Sequence, residues 1–416
     1  MDFYSTYYKK RTNYDQIQVL KDKFQSLDVN GDNALNKNEL ANIFTGQNLT
    51  QQEKEFLLQG VDGNDDNFIT YLEFSPAFIE FDVDQNAEIS GDEFDLVKDR
   101  LDELEKQLAI NDQYQILNDL DATQEQKEQA KHNIKVYNAE RNIIYDEMNV
   151  QRKSILISDK EVTIQEIQDF IDNNTLLEYE EAKKYKEIEE LSVEKNILLK
   201  KKAIAQRKLE LDQTKLEIIN KEFALENAAD PNVAEELQKD LDVLSYEKMS
   251  NENELNLAER ELDIHHKNVR IEEKENLLTK FFVPEIVKDQ TRKDLDKLRD
   301  ERLLLNHRVD LFDKVSTLSE IRADLIEKIY EYNHTQDTQQ QQQLLQEIQQ
   351  LEEQRDLLQL QATIVSKQVE LVDKQIQLKE VIPKSNHKPF DEVRANLEAE
   401  ISALEQEIAD LQSQLP

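Results

Sequence analysis

From residue 338 to 382, apolar positions alternate at spacings of four and three through Leu344, Ile348, Leu351, Arg355, Leu358, Ala362, Val365, Val369, Val372 and Ile376. That is a helical heptad with one polar interruption. A second stripe, Leu357, Ile364, Leu371 and Leu378, gives the helix two apolar faces. Two faces ask for two neighbours, which favours a bundle over a two-stranded rod. Between 233 and 281 the same spacing runs through Leu237, Leu241, Leu244, Lys248, Asn251, Leu255, Ala258, Leu262, His265 and Val269, a more polar seam. In the segment 390–415, Ile401 and Ile408 fall at a and Leu397, Leu404 and Leu411 at d. Ile at a with Leu at d suits a parallel two-stranded coiled coil. This helix needs a partner. A second copy of the chain, giving a homodimer through 390–416, is the first choice, and docking back onto the chain's own helices is the alternative.

Breaks in the pattern set the helix lengths. Asp230-Pro231-Asn232, Phe282-Val283-Pro284, the proline-free Asn333 to Asp337, and the segment from Pro383 to Pro389 all read as turns. They predict helices at 177–228, 233–281, 286–333 and 338–382, each about 70 Å long at 1.5 Å per residue. Matched lengths and short turns predict folding back into an antiparallel bundle. An extended coiled coil with hinges is the alternative. Two shorter helices, 92–119 and 123–150, precede these.

Composition supports long helix. All 5 glycines of the 416 residues lie at or before Gly91. The net charge is −37. Such a field repels nucleic acid and anionic surfaces, so the partners it admits are cations, basic surfaces or complementary helices. The chain has no cysteine, hence no disulfide or thiolate chemistry. No stretch is apolar enough to span a membrane, and no apolar leader precedes Tyr14, which predicts a cytoplasmic setting. Without a glycine-rich phosphate cradle or a zinc spacing, an enzyme is not expected.

The first hundred residues differ in kind. Three twelve-residue segments place oxygens at positions 1, 3, 5, 7, 9 and 12. The first offers Asp28, Asn30, Asp32, the Ala34 carbonyl, Asn36 and Glu39. The second offers Asp62, Asn64, Asp66, the Phe68 carbonyl, Thr70 and Glu73. The third offers Asp82, Asp84, Asn86, the Glu88 carbonyl, Ser90 and Glu93. A hard cation that takes six to eight oxygens, Ca²⁺, suits such a set. Position 8 is Leu35, Ile69 and Ile89, apolar residues through which two loops can pair by a short strand. Thr50 with Glu53 makes a capping box.

On these residues, the segment from about 14 to 100 resembles the EF-hand superfamily. The resemblance implies paired helix–loop–helix calcium sites. Position 6, which favours glycine, is Asn33, Asn67 and Ala87, so the third loop is the compromised one. Loop starts lie 34 and then only 20 residues apart. The second and third loops therefore share one short helix within Phe74–Phe81, which Ser75-Pro76 could cap and start. Near 155–166, Val162 to Ile167 echoes Ile69 to Phe74. With Ile155 and Ile157 at ligand positions, it would be a degenerate EF-hand that binds nothing, or else an unrelated linker.

The expected fold is all-α, an N-terminal EF-hand domain followed by a long antiparallel helical bundle or coiled coil. Its expected parts are 1–100 with three loops, a helical hairpin at 101–175, four folded-back helices at 176–382 and a short coiled coil at 390–416. The expected function is a calcium-binding structural adaptor or scaffold whose helices bind other proteins. The architecture resembles EF-hand and coiled-coil proteins of the cytoskeleton, cilia and vesicle traffic, which points to the cytoskeleton or cilium. The alternatives are an acidic calcium buffer or storage-matrix protein, and a static structural protein with non-sensing EF-hands.

Overall fold

The computed structural model describes residues 20–43, 55, 61–62, 66–86, 89–381 and 388–416. Among them the protein is all-α. Its helices are α1 (Lys37–Ala41), α2 (Tyr71–Phe81), α3 (Gly91–Asn118), α4 (Gln124–Asn173), α5 (Glu178–Glu226), α6 (Pro231–Thr279), α7 (Glu285–His334), α8 (Thr338–Val381) and α9 (Lys388–Gln412). Residues 20–27 are also helical. The chain divides into two compact units, residues 1–205 and 206–416.

Local chemistry fixes where these helices start. Asn36 with Glu39, Thr70 with Glu73, Ser90 with Glu93 and Thr123 with Gln126 each form a reciprocal capping box. Each box satisfies two backbone N–H groups that the first turn would otherwise orphan. Asp230 caps α6 by accepting from the Asn232 N–H at 2.9 Å, with Pro231 as its first residue, where a missing N–H costs nothing. Thr50 and Glu53 lie outside the described residues.

In the first unit, Leu20, Phe24, Leu27, Leu35, Leu40, Ile69, Phe74, Phe78, Phe81, Phe94, Val97 and Leu101 form one buried core. Phe74 is its centre. It meets the Phe24 ring edge-on at 5.5 Å and the Phe78 ring at 5.3 Å. Two of the expectations for this unit fail. α2 starts at Tyr71 under the Thr70 cap and passes through Pro76, so Ser75-Pro76 lies inside the helix and does not start it. α4 does not stop near 150 but continues to Asn173. The segment 155–166 is therefore continuous helix, and no degenerate EF-hand loop forms there. Its β-branched residues are accommodated: Thr163 Oγ1 donates to the Asp159 carbonyl at 2.9 Å, while Ile155 and Ile157 are buried.

α3 and α4 form an antiparallel hairpin. Lys106 pairs with Glu140 at 2.6 Å, and Asn133 donates to Gln113 at 3.0 Å. Glu103, itself buried, accepts from Arg141 Nε at 2.7 Å and also pairs with Arg100. Lys160–Glu194 and Glu161–Lys195 ion pairs join α4 to α5. Across the hairpin, Asp99 lies opposite Glu147. Burial, then the Glu147, Asp102 and Asp95 charges, push the Asp99 carboxyl up to about 6. A carboxyl raised in the folded state destabilises the fold above that pH and stops doing so as the pH falls towards its ordinary value. Asp99→Asn is thus expected to raise the melting temperature by a few degrees at pH 7.5 and to change nothing at pH 3.5, as thermal denaturation at both pH values would reveal.

In the second unit, antiparallel pairing is marked at each step. Arg207–Glu254 and Lys221–Asp240 join α5 to α6, both at 2.6 Å. Lys267–Glu301 and Lys274–Asp294 join α6 to α7. Lys328–Glu347 and Asp300–Lys379 join α7 to α8. Lys367–Glu407 and Lys374–Glu400 join α8 to α9. Exposed pairs add little stability, but they report the register. Apolar seams hold the helices: Ile271, Leu295 and Leu298 in one cluster, Ile321, Leu325 and Ile348 in another. One polar interruption of the α6 seam, Asn251, donates to Thr214 at 2.9 Å, and beside it the Ser250 and Ser316 hydroxyls meet at 2.7 Å.

α9 lies antiparallel on α8 of the same chain, with Leu397 and Ile408 buried. The zipper stripe expected to meet a second copy is therefore covered within the chain, and a homodimer through 390–416 loses the seam it needs. Two apolar faces on α8 are explained by its two neighbours, α7 and α9.

Candidate metal centre

The first loop is knit by its own short side chains. Asp28 Oδ1 accepts from the Gly31 N–H at 2.8 Å, and Oδ2 from the Asn33 N–H at 2.9 Å. Asn30 Oδ1 accepts from Asp32 N–H at 2.8 Å, and Asp32 Oδ1 from Ala34 N–H at 2.9 Å. Glu39 closes the ring: Oε1 accepts from Val29 N–H and Oε2 from Asn36 N–H, both at 3.1 Å. The side chains at positions 1, 3, 5 and 12 thus all accept backbone hydrogen bonds within one turn.

The second loop repeats this where it is described. Asp62 Oδ2 accepts from Asn67 N–H at 2.7 Å, and Asp66 Oδ1 from Phe68 N–H at 2.8 Å. Glu73 Oε2 accepts from Thr70 N–H at 2.9 Å and from its hydroxyl at 2.7 Å. Asn64 lies outside the described residues. Leu35 and Ile69 exchange both backbone hydrogen bonds, at 2.9 and 2.8 Å, in an antiparallel bridge. Both are fully buried, so the apolar residue at position 8 pairs these two loops.

The third loop brings its acids closest together. Asp82, Asp84 and Glu93 each present an oxygen within 4.8 Å of the others. Glu93 is fully buried. Its Oε1 accepts from Val83 N–H at 2.7 Å and its Oε2 from Ser90 N–H at 2.9 Å. Asn86 Nδ2 donates to Asp84 Oδ2 at 2.9 Å. Glu88 and Ala87 lie outside the described residues.

Backbone conformation follows the sequence in part. Asn33 and Asn67 take φ of +64° and +66°, the left-handed conformation that asparagine tolerates better than other side chains. Asn33→Ala and Asn67→Ala should each cost the module about 1 kcal/mol for that reason, readable as a lower denaturant midpoint. Sequence reasoning missed Gln85, which takes φ +63° at position 4 of the third loop. The signal was present, because Gly31 holds the same position in the first loop with φ +72°.

The loops are linked through their helices. α2 starts under the Thr70–Glu73 box of the second loop and ends with Asp82 of the third as its C-cap. Val83, inside the third loop, packs with Leu96, Met148 and Ile155 of the α3–α4 hairpin. Gln151 Nε2 also donates to the Asp92 carbonyl at 2.7 Å.

A paired helix–loop–helix unit with all-oxygen loops defines an EF-hand module. Residues 17–78 match the family described as EF-hand domain pair, and this segment is an EF-hand pair. The match takes in the first two loops, so the third stands on its own geometry. Neither a curated protein nor a solved structure matches the chain. Among the described residues, no helix is long and apolar enough to cross a membrane.

The donor chemistry fits a hard cation. Every side-chain ligand offered is a carboxylate, amide or hydroxyl oxygen, and Glu39, Asp62, Asp82 and Glu93 are buried. The hydrogen bonds Glu39 and Glu93 accept from backbone N–H groups are neutral, and a buried carboxylate is costly without opposite charge.

Proposed function

We propose that this protein is a calcium-responsive structural adaptor. Its three N-terminal loops take Ca²⁺, and its long helices present surfaces to other proteins. The convergence of Asp82, Asp84 and Glu93 within 4.8 Å, in a loop packed on the hairpin that follows, carries this reading. Filling three loops would add six positive charges to a strongly acidic chain and change the balance of forces on α2 and α3. The role involves no catalysis. A cytoplasmic setting on the cytoskeleton or in a cilium suits this architecture of EF-hands followed by long helices.

Titration calorimetry of the full chain with Ca²⁺ and with Mg²⁺ tests the proposal. Micromolar, Ca²⁺-selective binding accompanied by altered hydrogen exchange in 71–155 is the expected outcome. Millimolar, unselective binding would make the protein a buffer, and the absence of any binding would leave a static structural protein.

A further inference from the structure

The turn between α6 and α7 carries its largest apolar side chains into solvent. Phe281 is 99% exposed, Phe282 81% and Ile286 83%. Large apolar groups grouped this way on a soluble surface mark an interaction site. Beside them on the same hairpin end, Glu275, Leu278, Arg292, Leu295, Asp296 and Arg299 line an open groove of about 300 Å³. Its apolar floor, Leu278 and Leu295, continues into the Ile271–Leu298 cluster.

We propose that this tip is a self-association surface, on which the phenylalanines of one copy enter the groove of a second copy. A twofold contact uses one patch twice, so that patch must hold both halves of the fit. This tip does: the protruding rings and the groove lie about one helical turn apart on the same hairpin. Charge points to the same occupant. The groove carries two acids and two arginines, a locally neutral surface on a chain of net charge −37. Elsewhere, two copies repel one another and anionic bilayers are repelled too. Arg299 is held by Glu275 at 2.7 Å, and Arg292 by Asp289 at 2.6 Å. Guanidinium planes fixed at the groove wall offer a stacking face to an incoming ring.

The size of the contact sets its strength. A phenylalanine buries on the order of 150–250 Å². Two per copy, with Ile286, approach about 1,000 Å² in total, the lower limit for specific association. The dimer is therefore weak, with a Kd on the order of tens of micromolar.

Sedimentation equilibrium of the full chain from about 1 to 500 µM tests this. The wild-type protein should dimerise reversibly across that range. The Phe281→Ser, Phe282→Ser double variant should weaken association at least tenfold with an unchanged circular-dichroism spectrum and melting curve, because both side chains are exposed. Ile286→Ser should shift the same equilibrium by a smaller factor. A wild-type chain that stays monomeric throughout overturns the proposal. So does association that the double variant leaves intact. Co-sedimentation of monomeric wild-type protein with phosphatidylcholine vesicles, lost in the double variant, would assign the tip to lipid and overturn it too.

Discussion

Phe74→Ala will unfold the N-terminal module while the helices of residues 206–416 keep their structure. Phe74 is 1% exposed and lies between the rings of Phe24 and Phe78. It also backs the Leu35–Ile69 bridge, because all of these belong to one cluster. Truncating such a ring costs about 3–5 kcal/mol, the transfer energy plus the cavity left behind. A small module has a total stability of about 5 kcal/mol or little more, so the loss is nearly all of it. Hydrogen exchange resolved by segment is the measurement. Protection should vanish for 20–43 and 66–86 and persist in α6 to α8. Unchanged protection in the first unit would mean that the core is organised around some other residue.

Glu93→Gln should be the most damaging isosteric change for metal binding. Its two oxygens serve three backbone donors, Val83, Asp84 and Ser90. An amide replaces one of these oxygens with a donor that faces other donors, leaving buried groups unsatisfied at about 1–3 kcal/mol. It also removes a formal charge from the position that offers bidentate coordination. Affinity at the third loop should fall about a hundredfold or more, equivalent to about 2.7 kcal/mol. Because α2 joins Glu73 to Asp82, the second loop should also weaken, by a few-fold, through coupling between the sites. Calorimetry would resolve both changes. A second loop that binds as before would show that α2 does not transmit.

Much of this fold was legible because the chain marks its own turns. Helices expected at 177–228, 233–281, 286–333 and 338–382 are found at 178–226, 231–279, 285–334 and 338–381. Proline, a proline-free polar turn and a heptad with a single polar interruption placed the helix ends. The errors came from reading motifs where continuity should have ruled. Val162 to Ile167 looks like the end of a calcium loop, but nothing before it breaks a helix. Ile155, Ile157, Ile167 and Ile171 are instead buried along one helix. At α9 the heptad gave the need for a partner but not which one, since α8 and a second chain offer equivalent apolar faces. In the loops, spacing alone proposed the candidate ligand positions, and the structure ties Asp28, Asn30, Asp32 and Glu39 into one hydrogen-bonded turn. The turn at Gln85 was signalled only by Gly31 at the same position of the first loop, because side-chain identity reports backbone shape indirectly.

α3 has two ends with different duties. Its first residue, Gly91, sits inside the third loop, and its last, Asn118, is the far end of the hairpin. Twenty-eight residues make a rod of about 42 Å. Pivoted at the loop, a rotation of about ten degrees would sweep the distal end through about 7 Å, given that length. Under the proposed calcium response, the hairpin would work as a lever, turning an ångström-scale adjustment around an ion into a displacement several times larger.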